Sequence, residues 1–262
     1  MEPGITYRAY SLTFSKPAQT SRDVLYHKPS FLITICDKHG RKGVGECSLI
    51  PGLSIESEEE VVSFLETLQA KSGINVREIP HTLPSVRFAV ETALRSLKRG
   101  GEAQWSGGIT INGLVWMDSA EGMLEQVDIL VNKGFKTIKL KVGTLPFNEE
   151  LEMLREIRRK CPAEEFTIRI DANGAFGKDS GDGLTAIDKL EALSNADLNI
   201  HSIEQPIPAG QYDEMATLCA ASPIPIALDE ELIGVNSHAE RRALLEKTKP
   251  KYLILKPSLI GG

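Results

Sequence analysis

Thr137-Ile138-Lys139-Leu140-Lys141-Val142 is a β-rich run, and Glu149-Glu150-Leu151-Glu152-Met153-Leu154-Arg155-Glu156-Ile157, a little further on, has helical spacing. Phe166-Thr167-Ile168-Arg169-Ile170-Asp171 then begins the next β-rich run. Strand, amphipathic helix, strand is the repeating unit of a parallel sheet, because parallel neighbours need a crossover and a helix supplies it. The same rhythm takes in Gly108-Ile109-Thr110-Ile111-Asn112 upstream. Downstream it takes in Asn199-Ile200-His201-Ser202-Ile203-Glu204, Ile224-Pro225-Ile226-Ala227-Leu228-Asp229 and Tyr252-Leu253-Ile254-Leu255-Lys256. Six strands with right-handed connections are therefore expected in an α/β fold.

The residues before this rhythm read as a small α+β unit. Ile5 to Phe14 alternates, and Phe31 to Cys36 and Lys42 to Cys47 flank a turn at Lys38-His39-Gly40, which predicts a hairpin. Polar loops are expected at Pro17 to Pro29 and at Ser48 to Ser54. Ser57-Glu58-Glu59-Glu60 is a capping box ahead of an apolar-periodic stretch. Val86, Ala89, Val90, Ala93, Leu94 and Leu97 are spaced as one helix face. The expected boundaries are 1–105 for an N-terminal α+β capping domain and 106–262 for the α/β domain.

Composition narrows the function classes. The 262 residues are 41% hydrophobic and 25% charged, an ordinary globular balance that argues against disorder. The net charge is -6 and no basic stripe appears, so nucleic acid is not an expected partner. No apolar run approaches the ~20 residues of a membrane span. Met1-Glu2-Pro3-Gly4 does not open a secretory signal, and the expected location is cytoplasmic. Cys36, Cys47, Cys161 and Cys219 form no CxxC pair, which excludes a zinc ribbon or a thioredoxin-like motif; reduced, mostly buried thiols are expected. His201, inside a strand run, reads as a packing or surface histidine, and Trp105 and Trp116 read as packing residues.

Five runs carry an ionisable residue at or near the C-terminal end: Lys141, Asp171, Glu204, Asp229 and Lys256. The steps between them are 30, 33, 25 and 27 residues, each about one strand–helix unit. An unpaired buried charge is costly, so strand ends ordinarily avoid one. In parallel sheets and barrels the C-terminal strand ends are where ligands bind. Three carboxylates brought together repel unless a cation lies among them, and hard oxygen donors suit Mg²⁺. Lys139 and Lys141 are two apart and share a strand face. A lysine beside a divalent cation and a second lysine is expected to lose its proton more easily and to serve as a base.

Lys139-Leu140-Lys141, Asp171-Ala172-Asn173-Gly174, Ile203-Glu204-Gln205-Pro206, Leu228-Asp229-Glu230 and Lys256-Pro257 together resemble the enolase superfamily, in its muconate-lactonising subgroup. Thr20 to Leu25, Gly43-Val44-Gly45-Glu46-Cys47, Ile111 to Met117 and Lys256 to Gly262 are most like the branch that forms o-succinylbenzoate for menaquinone biosynthesis. The resemblance spans nearly the whole chain. It implies a TIM-like (β/α) barrel domain beside the N-terminal cap, and Mg²⁺ (or Mn²⁺) held by Asp171, Glu204 and Asp229. It implies Lys141 as the base that takes the proton α to the substrate carboxylate, giving an enediolate stabilised by the ion. Lys256 would stabilise charge from the opposite side, Lys139 would tune its neighbour, and Asn173 would assist near the metal. The loops at 17–29 and 48–54 match capping loops, with Arg22 and Leu53 as substrate contacts. Glu230, next to Asp229, is expected from strand alternation to face away from it and to support the site from behind.

The implied reaction is dehydration of a succinyl-hydroxy-cyclohexadiene carboxylate to o-succinylbenzoate. Related members racemise N-acyl (N-succinyl) amino acids or epimerise dipeptides with the same five positions. The substrate in each case is a small-molecule carboxylate, and an oligomer is compatible. Family barrels are longer than six strands, so the chain reads as truncated after about six, and an inactive fragment is the third expectation.

Overall fold

The computed structural model describes residues 4–19, 24–71, 73–100, 107–177 and 181–262. Arg22 and Trp105 lie outside the described residues. By internal contacts the chain divides into two units. The first is Met1–Gly107 with Leu232–Arg241 and Leu255–Gly262; the second is Gly108–Glu231 with Arg242–Ile254.

The first unit is built on an antiparallel sheet of β1 (Gly4–Gln19), β2 (Val24–Cys36) and β3 (Lys42–Ser48), in that order. Phe31, Ile33 and Ile35 alternate inward on β2 and are almost wholly buried. Helices α1 (Glu58–Gln69) and α2 (Pro84–Lys98) cover that face. The capping box forms: Ser57 Oγ accepts from the Glu60 amide, and Glu60 Oε2 accepts from the Ser57 amide. The glycines of Gly43-Val44-Gly45 are explained by α2. A Cβ on Gly43 would stand 2.0 Å from Ala93 O, and one on Gly45 1.9 Å from Ala89 O. Strand and helix backbones touch there, Gly43 also against Leu97, and glycine alone leaves the space a Cβ would fill. The N-cap Leu83 has no side chain to cap α2, and the buried Glu56 Oε1 accepts from the Ser85 amide at 2.8 Å instead.

The loop expected over 17–29 is a correction. Most of it is hairpin, paired from Gly4↔Cys36 up to Gln19↔Val24 with a register shift between Thr13 and Ala18. A solvent-facing ladder satisfies its backbone whatever its side chains, so polar composition there misled.

The second unit is a parallel sheet of six strands in sequence order: β4 (Gly113–Val115), β5 (Thr137–Lys141), β6 (Thr167–Asp171), β7 (Ile200–Glu204), β8 (Ile226–Leu228) and β9 (Tyr252–Leu253). The connecting helices are α3 (Ala120–Asn132), α4 (Phe147–Lys160), α5 (Ala186–Asn195), α6 (Tyr212–Ala221) and α7 (His238–Thr248). β4 lies past the expected Gly108 to Asn112, whose Ile109 and Ile111 are 71% and 67% exposed. The paired residues are those that meet β5 and α3, with Gly113 against Leu130. β8 starts after Pro225, which has no N–H for the ladder. β9 stops three residues before Lys256, because Pro257 opens a short helix, Pro257–Ile260, with Lys256 as its N-cap.

Ile138, Leu140, Ile168, Ile170 and Ile203 form one buried layer of this sheet. At its lower rim Arg158 clamps four carbonyls: Nε donates to Leu198 O at 2.7 Å, Nη1 to Cys161 O and Phe166 O, and Nη2 to Asn199 O at 3.1 Å. His201 stacks on Tyr252 with ring centroids 4.9 Å apart. Trp116 is 42% exposed rather than packed. All four cysteines are free thiols; Cys47 and Cys161 are buried, Cys36 and Cys219 half-buried. Among the described residues no helix is long and apolar enough to cross a membrane.

Candidate active site

Register puts the charged strand ends in one row. Lys141 pairs with Asp171, Asp171 with Glu204, and Glu204 with Ala227, two residues before Asp229. Lys139, Lys141, Arg169 and Asp171 share strand parity and point away from the isoleucine layer. Asp171, Glu204 and Asp229 are each 2% exposed or less.

Lys139 Nζ donates to Glu204 Oε1 at 2.7 Å and lies 2.9 Å from Asp171 Oδ2. Lys141 Nζ reaches the same Asp171 oxygen at 2.7 Å and donates to Asn173 Oδ1 at 2.5 Å. Asn173 Nδ2 donates to Glu230 Oε1 at 2.8 Å, so Glu230 fixes which end of the amide meets the lysine. Asp171 Oδ1 accepts from the Asn173 amide, and Asn173 holds a left-handed backbone at φ 43°. The sequence pointed to Glu230 as a supporting group. It missed Arg169, whose Nη2 is 3.7 Å from Glu204 Oε2; its shared parity with Asp171 on β6 was the available signal.

The three acids Asp171, Glu204 and Asp229 are all buried. Burial, and after it the Asp171 charge, pushes the Glu204 carboxyl up to about 8, with Asp229 adding to the rise and Lys139 opposing it. Burial by itself would raise Asp171, but Lys139 and Lys141 outweigh it and hold that carboxyl below its usual value. Burial likewise works to lower Lys139, and the Asp171 and Glu204 charges overcome it, so this ammonium is held more firmly than usual. Both carboxylates close on the Lys139 ammonium directly. Among the described residues no three His, Cys, Asp or Glu side chains converge as a ready-made metal cage. Asp171 and Glu204 converge on the Lys139 ammonium instead. The donor set nonetheless suits a hard divalent ion: all its atoms are carboxylate oxygens, and the buried Glu204 Oε2 accepts no hydrogen bond.

Lys256 and Leu53 are placed in the first unit. Lys256 caps the Pro257–Ile260 helix, and Leu53 lies half-buried in the turn after β3.

A parallel α/β sheet gathers lysines and carboxylates at its C-terminal strand ends, the place where ligands bind in such sheets. The family model described as "Enolase C-terminal domain-like" matches residues 122–262, and the chain belongs to this family. It is an enzyme, similar to o-succinylbenzoate synthases: that of Desulfotalea psychrophila is 38% identical over 98% of this chain and 79% of its own length. The crystal structure of the o-succinylbenzoate synthase of Thermosynechococcus elongatus, complexed with Mg in the active site, superposes with a TM-score of 0.84. That match is 25% identical and covers 98% of this chain and 77% of that one. The N-succinyl-L-Arg/Lys racemase of Bacillus cereus is 30% identical over 54% of this chain and 36% of its own length.

Proposed function

We propose that the protein catalyses a Mg²⁺-dependent dehydration that yields o-succinylbenzoate in menaquinone biosynthesis. The observation that carries the acid–base chemistry is the aligned row Lys141, Asp171, Glu204 with Lys139 beneath it. The branch assignment rests on the similarity to the Desulfotalea psychrophila synthase along nearly the whole chain. The six strands are read as part of a (β/α) barrel of TIM type, with residues 1–105 as its capping domain.

Asp171, Glu204 and Asp229 are the residues that would hold Mg²⁺, with Mn²⁺ as an acceptable substitute. When bound, the ion supplies electrostatic stabilisation of negative charge developing on the substrate carboxylate. Lys141 takes the α proton onto Nζ. Asn173 Oδ1, held by Glu230, keeps that nitrogen in place. Lys139 sets the charge around Asp171 and Glu204. Lys256 stabilises the developing charge, a role that carries over from the resemblance. The C–O bond to the substrate hydroxyl then breaks as the ring becomes aromatic, and the proton taken up by Lys141 goes to the departing hydroxyl, which leaves as water.

The test is a direct assay of the purified chain. With Mg²⁺ and the cyclohexadiene substrate, aromatic product is expected by ultraviolet absorbance, and excess chelator is expected to abolish it. The same protein is then incubated in D₂O with N-succinyl amino acids. Rapid α-hydrogen exchange there, without any dehydration, would overturn the proposal in favour of a racemase.

A further inference from the structure

Gln205 follows Glu204 directly, at φ 42°, a left-handed backbone that a residue with a Cβ adopts only at a cost. It is 1% exposed. Every hydrogen-bonding position of its side chain is used. Nε2 donates to Ile207 O and to Glu231 Oε2, both at 2.9 Å, and Oε1 accepts from the Asp229 and Glu231 amides, both at 3.2 Å. Its main chain is used as well: its amide donates to Ala227 O at 3.0 Å, and its carbonyl accepts from Gly174 at 2.7 Å. Glu231, 2% exposed, completes the arrangement with Oε1 accepting from the Gly210 amide at 2.8 Å.

These bonds join the exits of three strands. Gly174 belongs to the turn after Asp171, Gln205 adjoins Glu204, and the Asp229 amide is bonded to the Gln205 side chain. None of them uses a carboxylate oxygen of Asp171, Glu204 or Asp229. We infer that Gln205, braced by Glu231, is the positioning residue that sets the spacing of the three acidic side chains and so the affinity for a divalent ion. The inference rests on the reading of Asp171, Glu204 and Asp229 as the metal-holding set.

The chemistry dictates both residue types. At position 205 an amide is needed, because the same group must accept from two N–H donors and donate to a carbonyl and a carboxylate. A carboxylate there would face Glu231 and the Ile207 carbonyl with oxygen alone. At position 231 an acceptor-only group is needed, because two N–H donors arrive, from Gln205 and Gly210. An amide there has one oxygen for both. Exchanging the two side chains restores complementarity. The amide, moved to position 231, would accept from Gly210 and donate to the carboxylate, moved to position 205. The bond to Ile207 O would remain lost.

The test compares wild type, Gln205→Glu, Glu231→Gln and the double exchange, each isosteric. Mg²⁺ affinity is read by titration calorimetry, and protection of the Gly210 amide by hydrogen exchange. Each single variant is expected to bind Mg²⁺ about 10–100-fold more weakly, the range for groups that orient metal ligands from behind. The double exchange is expected to recover most of that loss and the Gly210 protection. Single variants with wild-type affinity would overturn the inference, as would a double variant no better than the worse single. Should a single variant not fold, the double against wild type decides: near-native affinity supports the role, and loss as deep as about 100-fold overturns it. Wild type that takes up no Mg²⁺ would overturn the metal reading itself and this inference with it, which separates the two failures.

Discussion

Lys141→Ala is expected to slow α-proton removal by about 100–10,000-fold, the range for loss of a positioned general base. Mg²⁺ affinity should be kept or raised in the same variant. Lys141 Nζ lies 2.7 Å from Asp171 Oδ2, so its ammonium competes with any divalent ion for that carboxylate. Removing it leaves Asp171 with one lysine partner, Lys139. The two readouts together are diagnostic. A collapse of the site would weaken both chemistry and metal binding, whereas loss of the base separates them. Solvent-deuterium exchange at the α carbon, measured beside calorimetric Mg²⁺ binding, decides the matter. Exchange at near wild-type rate would remove Lys141 from the role of base.

Arg158→Ala is expected to cost about 2–4 kcal/mol of stability, without touching the site. The guanidinium serves four carbonyls from three segments: the end of α4, the entry to β6 and the entry to β7. Hydrogen bonds from a charged donor are worth about 1.5–3 kcal/mol each in partly buried settings, and water entering the gap offsets part of that. Arg158→Lys should recover only a fraction, because one ammonium cannot reach carbonyls arranged around a planar fork. The urea midpoint at constant slope measures both. An alanine variant within about 0.5 kcal/mol of wild type would show the clamp to be redundant.

The contrast between Lys141 and Arg158 shows what the sequence could tell. Lys139, Lys141, Asp171 and Glu204 were legible because strand parity and strand ends follow from a period of two, and the one-unit steps between them follow from the crossover helices. Arg158 was not, since its partners Leu198 and Asn199 lie about forty positions away and offer only main-chain oxygens. Gln205 stood in plain view beside Glu204. Its role depends on the left-handed turn and on amides at 229 and 231, which no local pattern encodes. The strand signals failed where pairing, not composition, chose the residues: β4 formed at Gly113–Val115 rather than on the alternating isoleucines, and the hairpin of β1 and β2 ran through a polar stretch. Pro257 opens a short helix directly after Lys256 and takes that lysine off the strand.

In the proposed site the three acids on β6, β7 and the exit of β8 share one divalent ion, which displaces the Lys139 ammonium from between Asp171 and Glu204. Crystals grown with Mn²⁺ test this by anomalous scattering at the manganese edge. One strong peak is expected about 2 Å from an oxygen each of Asp171, Glu204 and Asp229. Manganese bound elsewhere, with Lys139 Nζ still bridging the two carboxylates, would contradict it.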